Sequence, residues 1–277
     1  MKTLYDPFMD LRNSSSLLNL AAIALLISML GPFAYAQAPA QQSAAPTEAI
    51  LRRAREQALQ YTANLPNFIC TQTVLRYGQD RDTQRWKVND KLTLSLSYSD
   101  KGESYHLLMI NDKPTKKSFQ DVGGVKSNGE FGTLLAWVFR PESHTEFEWK
   151  WPANLRGRET DVFAFHIDQE HSQYHASFNG KRYEGIFAWG GLVYIDRASG
   201  QVLRLTHGPD AFPPAWPVTS IFSDLDYDFV TIGGNPFLVP LRAEMRLIAR
   251  DGVQTRNEIQ FHDYKKFSAE ATIRAVQ

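Results

Sequence analysis

The strongest constraint on the fold is the strict alternation of apolar and polar residues along the last third of the chain. Three long runs, at 221–229, 237–247 and 256–261, place apolar side chains on one face and mostly charged side chains on the other. The turn dipeptides Gly233-Gly234 and Asp251-Gly252 separate the runs. A period of two is typical of β-strands with one buried face. These runs therefore predict an antiparallel meander with one apolar and one solvated face.

Two segments have a helical period instead. Residues 47–63 place apolar side chains on one helical face, with Thr47 as the N-cap, and residues 130–139 form a short apolar run almost without charge. The remaining strands occur in blocks rather than in alternation with long helices. We expect a single α+β domain over residues 47–277, with an N-terminal helix, roughly ten strands and an inserted short helix.

The beginning of the chain resembles a secretion signal. An apolar run at 17–30 ends in Gly31-Pro32 and the small-residue triplet Ala34-Tyr35-Ala36. This pattern predicts a signal peptide over residues 1–36 and a flexible Ala/Gln/Pro linker over 37–46. We expect a periplasmic or secreted protein that is not an integral membrane protein after cleavage. The alternative is an uncleaved anchor, since residues 17–36 are barely long enough to span a bilayer.

Charge and cysteine content exclude several classes of protein. The chain of 277 residues carries 30 Lys and Arg against 30 Asp and Glu, so it has no basic surface typical of nucleic-acid binding. Its single cysteine, Cys70, excludes an intrachain disulfide and a multi-cysteine metal site. Because Cys70 lies on a predicted strand beside Phe68 and Val74, we expect a buried, inert thiol. No cofactor is predicted.

The densest group of metal-ligating side chains lies between residues 166 and 175. It contains His166, Asp168, Glu170, His171 and His175. The order of Glu170 and His171 differs from the His-Glu-x-x-His pattern of zinc proteases, and a strand end with a loop is predicted here. A solvated surface cluster is therefore the favoured interpretation. An envelope hydrolase or metal-dependent enzyme that uses this cluster remains the alternative.

Three aspartates alternate along the predicted strand 221–229, and three arginines occur on or near the next strand. The aspartates are Asp224, Asp226 and Asp228, and the arginines are Arg242, Arg246 and Arg250. Calcium loops need a compact turn, whereas a spacing of two spreads carboxylates over an extended strand. The pattern therefore predicts a cross-strand charge ladder rather than a calcium site.

Three segments resemble a group of uncharacterised secreted bacterial proteins: 65–72 (LPNFICTQ), 193–197 (VYIDR) and 264–267 (YKKF). The order of elements is also similar to that of the LolA/LolB-type lipoprotein carriers. That resemblance implies a long curved antiparallel sheet, a half-barrel that wraps helices around an apolar cavity for acyl chains. It concerns architecture alone, so no functional residue is carried over from it.

The expected function is that of a non-enzymatic carrier-type protein that holds a hydrophobic, acyl or lipid-like ligand between the sheet and the helices. The predicted lid residues are Leu134 and Trp137, and the predicted residues of the sheet face are Leu94, Leu96, Met245 and Leu247. An apolar sheet face needs a cover, and two short helices leave part of it for a ligand. The other alternative is an envelope scaffold that binds a protein partner through a sheet edge.

Overall fold

The computed structural model describes residues 44–99, 102–126, 129–178 and 182–267. The predicted signal peptide and most of the predicted linker lie outside these residues. Helix α1 (Ala44–Asn64) contains the predicted helix 47–63. Helix α2 (Thr133–Phe139) begins three residues later than the predicted segment 130–139. The reason is Gly132, the N-cap of α2, whose φ of 112° is incompatible with a right-handed helix.

The described residues contain thirteen strands and two single-turn 3₁₀ helices, Phe119–Asp121 and Pro141–Ser143. The strands are β1 (Phe68–Gln79), β2 (Trp86–Ser99), β3 (Gly102–Ile110), β4 (Lys113–Pro114), β5 (Glu146–Leu155), β6 (Arg158–Ile167), β7 (His175–Phe178), β8 (Tyr183–Ile186), β9 (Trp189–Asp196), β10 (Val202–Pro209), β11 (Val218–Ile232), β12 (Asn235–Ala249) and β13 (Gln254–Lys266). The predicted α+β class is therefore confirmed.

Within the described residues, eleven strands form one open antiparallel sheet in the order β4-β3-β2-β1-β13-β12-β11-β10-β9-β6-β5. Strand β1 pairs with β13, so the first and last strands lie together near the middle of the sheet. The predicted meander of the three long runs is confirmed as β11, β12 and β13. Strands β7 and β8 form a separate hairpin inserted between β6 and β9.

One row of apolar residues crosses the sheet on the face that the helices cover. Residues directly opposite each other on neighbouring strands point to the same face. From β2 to β6 the row consists of Leu92, Val74, Ile259, Ala243, Leu225, Leu205, Val193 and Phe163. The residues of the period-two pattern thus form a continuous apolar surface on the folded sheet.

The sheet curves around the segment that contains α2. Phe131, just before α2, lies 6.2 Å from Tyr98 of β2 between ring centroids, and Phe139 at its end stacks on Phe147 of β5 at 5.3 Å. In a flat sheet, eight strand spacings would separate β2 from β5 by about 38 Å. A helical segment of that length advances only about 12 Å. Both contacts therefore require a strongly curved sheet.

The predicted charge ladder forms at one aspartate. Arg242 Nε lies 2.6 Å from Asp226 Oδ2, but Arg246 pairs with Glu244 and Arg250 donates to backbone carbonyls. A register shift after Asp226 brings Asp228 opposite Val239, and Asp224 faces Glu244. The ladder prediction is therefore wrong for Arg246 and Arg250. The additional partners of Asp226 are Arg204 of β10, at 2.6 Å, and Arg156 of the β5–β6 turn, at 3.3 Å.

Candidate ligand cavity

The six predicted ligand-binding residues lie in three different clusters on the covered face of the sheet. Leu94 and Leu96 are fully buried in a cluster with Phe68 and Phe131. Leu134 and Trp137 pack in a second cluster under α1 and α2, and Met245 and Leu247 in a third cluster under the β7–β8 hairpin. The structure therefore does not bring the six residues together, and their role in ligand binding stays a prediction.

The imidazoles of the segment 166–175 bind separate carboxylates. The pairs are His166 with Asp210, His171 with Asp168 and His175 with Glu184, each at 2.9 Å, while Glu170 is exposed. Among the described residues, no three or more His, Cys, Asp or Glu side chains are grouped so that they could hold a metal ion. The geometry thus offers three separate histidine–carboxylate hydrogen bonds, whereas the alternative enzyme needs these side chains at a common centre.

A cavity of about 340 Å³ lies where the second half of α1 meets α2 and the ends of three strands. Its walls come from α1, the segment that follows it, α2, β12, the end of β11 and the start of β10. The lining residues are Gln57, Ala58, Tyr61, Asn64, Leu65, Leu135, Gln201, Val202, Phe229, Pro236, Phe237 and Leu238. The volume falls within the range of about 300–1,000 Å³ that is typical of small-molecule sites.

Helix α2 contributes Leu135 to this cavity, not the predicted Leu134 or Trp137. Two positions along a helix differ by about 200° in direction, so Leu135 and Trp137 point to opposite sides of α2. Trp137 instead packs edge-on against Trp189 of β9, with 6.5 Å between ring centroids. Helix α2, which was predicted to act as a lid, thus borders the cavity through Leu135 and not through Leu134 or Trp137.

Contacts at the middle and at the end of α1 hold it above the cavity. At its middle, Arg53 donates to the backbone carbonyls of Arg197 at 2.9 Å and Ala198 at 3.4 Å, in the β9–β10 turn. Near its end, the ring of Tyr61 meets that of Tyr227 edge-on at 6.0 Å, and burial raises the pKa of Tyr61 well above its ordinary value. The part of α1 that forms the cavity wall is therefore held at Arg53, just before it, and at Tyr61, within it.

The segment before α2 is fixed to the sheet by a buried tyrosine. The hydroxyl of Tyr227 on β11 donates to the backbone carbonyl of Glu130 at 3.0 Å. Glu103 of β3 accepts hydrogen bonds from the backbone N–H groups of Gly129 and Phe131, at 3.4 and 3.2 Å. The start of α2 is thus bound from two distant strands, which positions Leu135.

The cavity wall carries no charged side chain within the described residues. Its polar members are the amides of Gln57, Asn64 and Gln201 and the hydroxyl-bearing side chain of Tyr61. The cation of Arg158 lies 4.8 Å from the ring of Phe229 and 3.5 Å from Asp196, so it is already paired. The lining is therefore uncharged and consists of eight apolar and four hydrogen-bonding side chains.

No helix in the described part of the chain has the length and apolar character needed to cross a membrane.

Cys70 is 4% exposed, so its predicted burial is confirmed. Burial raises the pKa of the Cys70 thiol to about 12, which keeps it protonated at neutral pH.

Comparison with known proteins identifies similar structures only. Neither a family model nor a curated protein matches the chain. A LolA superfamily protein from Nitrosomonas europaea is 9% identical, with a TM-score of 0.33, over 83% of this chain and 97% of that one. A putative outer membrane lipoprotein-sorting protein domain from Vibrio parahaemolyticus is 9% identical, with a TM-score of 0.36, over 80% and 94%. The lipoprotein LppX from Mycobacterium tuberculosis is 10% identical, with a TM-score of 0.29, over 80% and 97%. The similar solved structures thus include one described as a LolA superfamily protein.

Proposed function

We propose that this protein is an exported, non-enzymatic carrier-type protein that binds an acyl or lipid-like ligand in the cavity between α1, α2 and the sheet. The observation that carries the proposal is the cavity of about 340 Å³, in which eight of the twelve lining residues are apolar and none is charged. The predicted signal peptide supports an envelope location, where such a ligand is available. A hydrophobic small molecule or lipid is the proposed partner.

The energetics favour a chain-like apolar ligand. Each methylene that leaves water contributes about 0.8 kcal/mol, so a long acyl chain offsets the costs of association and ordering. The wall is preformed because α1 is held at its middle by Arg53 and at its end by Tyr61, which lowers the ordering cost. A ligand of this type needs no reacting group, in agreement with a carrier rather than an enzyme.

The test is a titration with an environment-sensitive fatty probe. The wild-type protein should bind the probe, and Phe237→Glu should weaken binding at least about tenfold, because it places a carboxylate in the apolar wall. Phe222→Glu is the matched control, since Phe222 is 39% exposed on the neighbouring strand and does not line the cavity. Urea unfolding of both variants separates a loss of binding from a loss of fold.

Two results would contradict the proposal. The first is the absence of probe binding to folded wild-type protein. The second is equal weakening by Phe237→Glu and Phe222→Glu, which would place the probe on the outer surface of the sheet rather than in the cavity.

A further inference from the structure

We infer that the ligand of this cavity carries an uncharged head group with both a hydrogen-bond acceptor and a donor, as in a monoacylglycerol, and is not a free fatty acid. This inference rests on the proposed function, because it concerns the same cavity. It is carried by the three amides in the cavity wall and by the cations around it, which are bound elsewhere.

Two of the three amides share one face of α1. Gln57 and Asn64 are seven positions apart, close to two helical turns, so both point toward the same side. Gln201, between β9 and β10, faces them from the sheet. A side-chain amide both donates and accepts hydrogen bonds but cannot neutralise a charge. The set therefore matches ester, amide and hydroxyl groups.

One of these amides lacks a partner in the structure. The buried side-chain oxygen of Gln201 has no hydrogen-bond donor among the described residues. A buried acceptor without a donor is unfavourable, and a turn of the amide toward the cavity would let a ligand hydroxyl or N–H group pair with this oxygen. A carboxylate offers only acceptors and could not pair with it.

The arginines around the cavity are bound to protein groups. Arg53 donates to two backbone carbonyls of the β9–β10 turn. Arg158 pairs with Asp196, and Arg156 lies 3.3 Å from both Asp226 and Asp228. No free cation of the described wall therefore meets a ligand carboxylate, and a carboxylate buried without one is strongly disfavoured.

The inference is tested with three ligands of equal chain length, below their micelle concentrations: a monoacylglycerol, a fatty acid and an alkyl trimethylammonium. The affinity of each ligand is measured by its displacement of the fluorescent probe at pH 8, where the fatty acid is ionised. We expect the monoacylglycerol to bind at least about tenfold more tightly than both ions. Fatty acid binding that is equal or tighter overturns the inference but leaves the proposed function intact. If none of the three ligands binds, the proposed function fails.

A variant tests whether the head group lies at the amides. Gln57→Lys should raise fatty acid affinity about tenfold relative to the monoacylglycerol, because it places a cation in the wall. Gln60→Lys is the matched control, since Gln60 is exposed on the same helix and does not line the cavity. A thermal melt of each variant confirms folding. An unchanged ratio in folded Gln57→Lys, or an equal change in Gln60→Lys, overturns the inference.

Discussion

His207 makes the stability of the protein depend on pH. It lies buried on β10 beside the rings of Tyr174 and Trp189, and burial lowers its pKa from 6.5 to about 4. Between these values the unfolded chain binds a proton that the native state excludes. The contribution of neutral His207 to the free energy of unfolding is therefore complete above pH 6.5. It is lost as the pH falls toward 4, and the loss is about 3 kcal/mol. Urea unfolding at pH 7 and pH 4.5 measures it.

The control for this prediction is His207→Phe, which keeps an aromatic ring but cannot titrate. The variant should lose less stability than the wild type between pH 7 and pH 4.5. The carboxylates of Asp161 and Asp226, whose pKa values are lowered, titrate below this window and affect both proteins equally. Equal losses in wild type and variant would show that His207 is not the titrating group.

Cys70 should react slowly with thiol reagents in the native protein. Its side chain is buried on β1, and burial raises the pKa of its thiol to about 12, so the reactive thiolate is scarce. Labelling at pH 8 should become at least about a hundredfold faster in urea, in line with the opening free energy of a buried strand. Fast stoichiometric labelling of folded protein would disprove the burial of this thiol.

At the scale of elements, the contact between α1 and α2 depends on Gly132. Its φ is 112°, and a Cβ atom there would lie 2.6 Å from Thr62 Cγ2 and 2.7 Å from Tyr61 Cδ1. Gly132→Ala should therefore destabilise the protein by about 2–3 kcal/mol, through backbone strain and a clash with α1. The measurement is chemical unfolding.

Gly234 provides a matched control for this substitution. Its φ of 91° is also in the left-handed region, but a Cβ atom there would meet nothing within 4 Å. Gly234→Ala should therefore show the backbone cost alone and destabilise the protein by only about 1 kcal/mol. Equal losses in the two variants would mean that the packing of α1 on α2 contributes nothing at this position.

The sequence predicted the elements whose pattern is local. The long alternating runs indicated β11, β12 and β13, and the capped helical run indicated α1. The hairpin of β7 and β8 was missed because each strand has only four residues, too few for a period to be recognised. Helix α2 starts only at Thr133 because Gly132 has a left-handed backbone. The sequence does not predict that conformation, since glycine adopts left- and right-handed conformations about equally readily.

At the scale of the whole molecule, the cavity could not be predicted because its wall is assembled from distant parts of the chain. The lining residues extend from Gln57 to Leu238, and individually Ala58, Val202 and Leu238 look like ordinary core positions. The predicted sheet-face residues do point to the covered face. That face, however, is covered in three places: by α1 and α2, by the segment around Phe131, and by the β7–β8 hairpin. Only the register and curvature of the sheet decide under which of them a cavity remains.

The last prediction concerns the mature form of the whole chain. We expect protein isolated from the cell envelope to begin at Gln37, because the apolar run and the Ala34-Tyr35-Ala36 triplet precede that residue. Since α1 begins at Ala44, a variant that starts at Gln37 retains every described element. It should therefore unfold at the same temperature as the exported protein and bind the fatty probe with the same affinity. Edman sequencing and thermal melts check both expectations. A membrane-bound mature protein that retains Met1 would instead establish the uncleaved anchor.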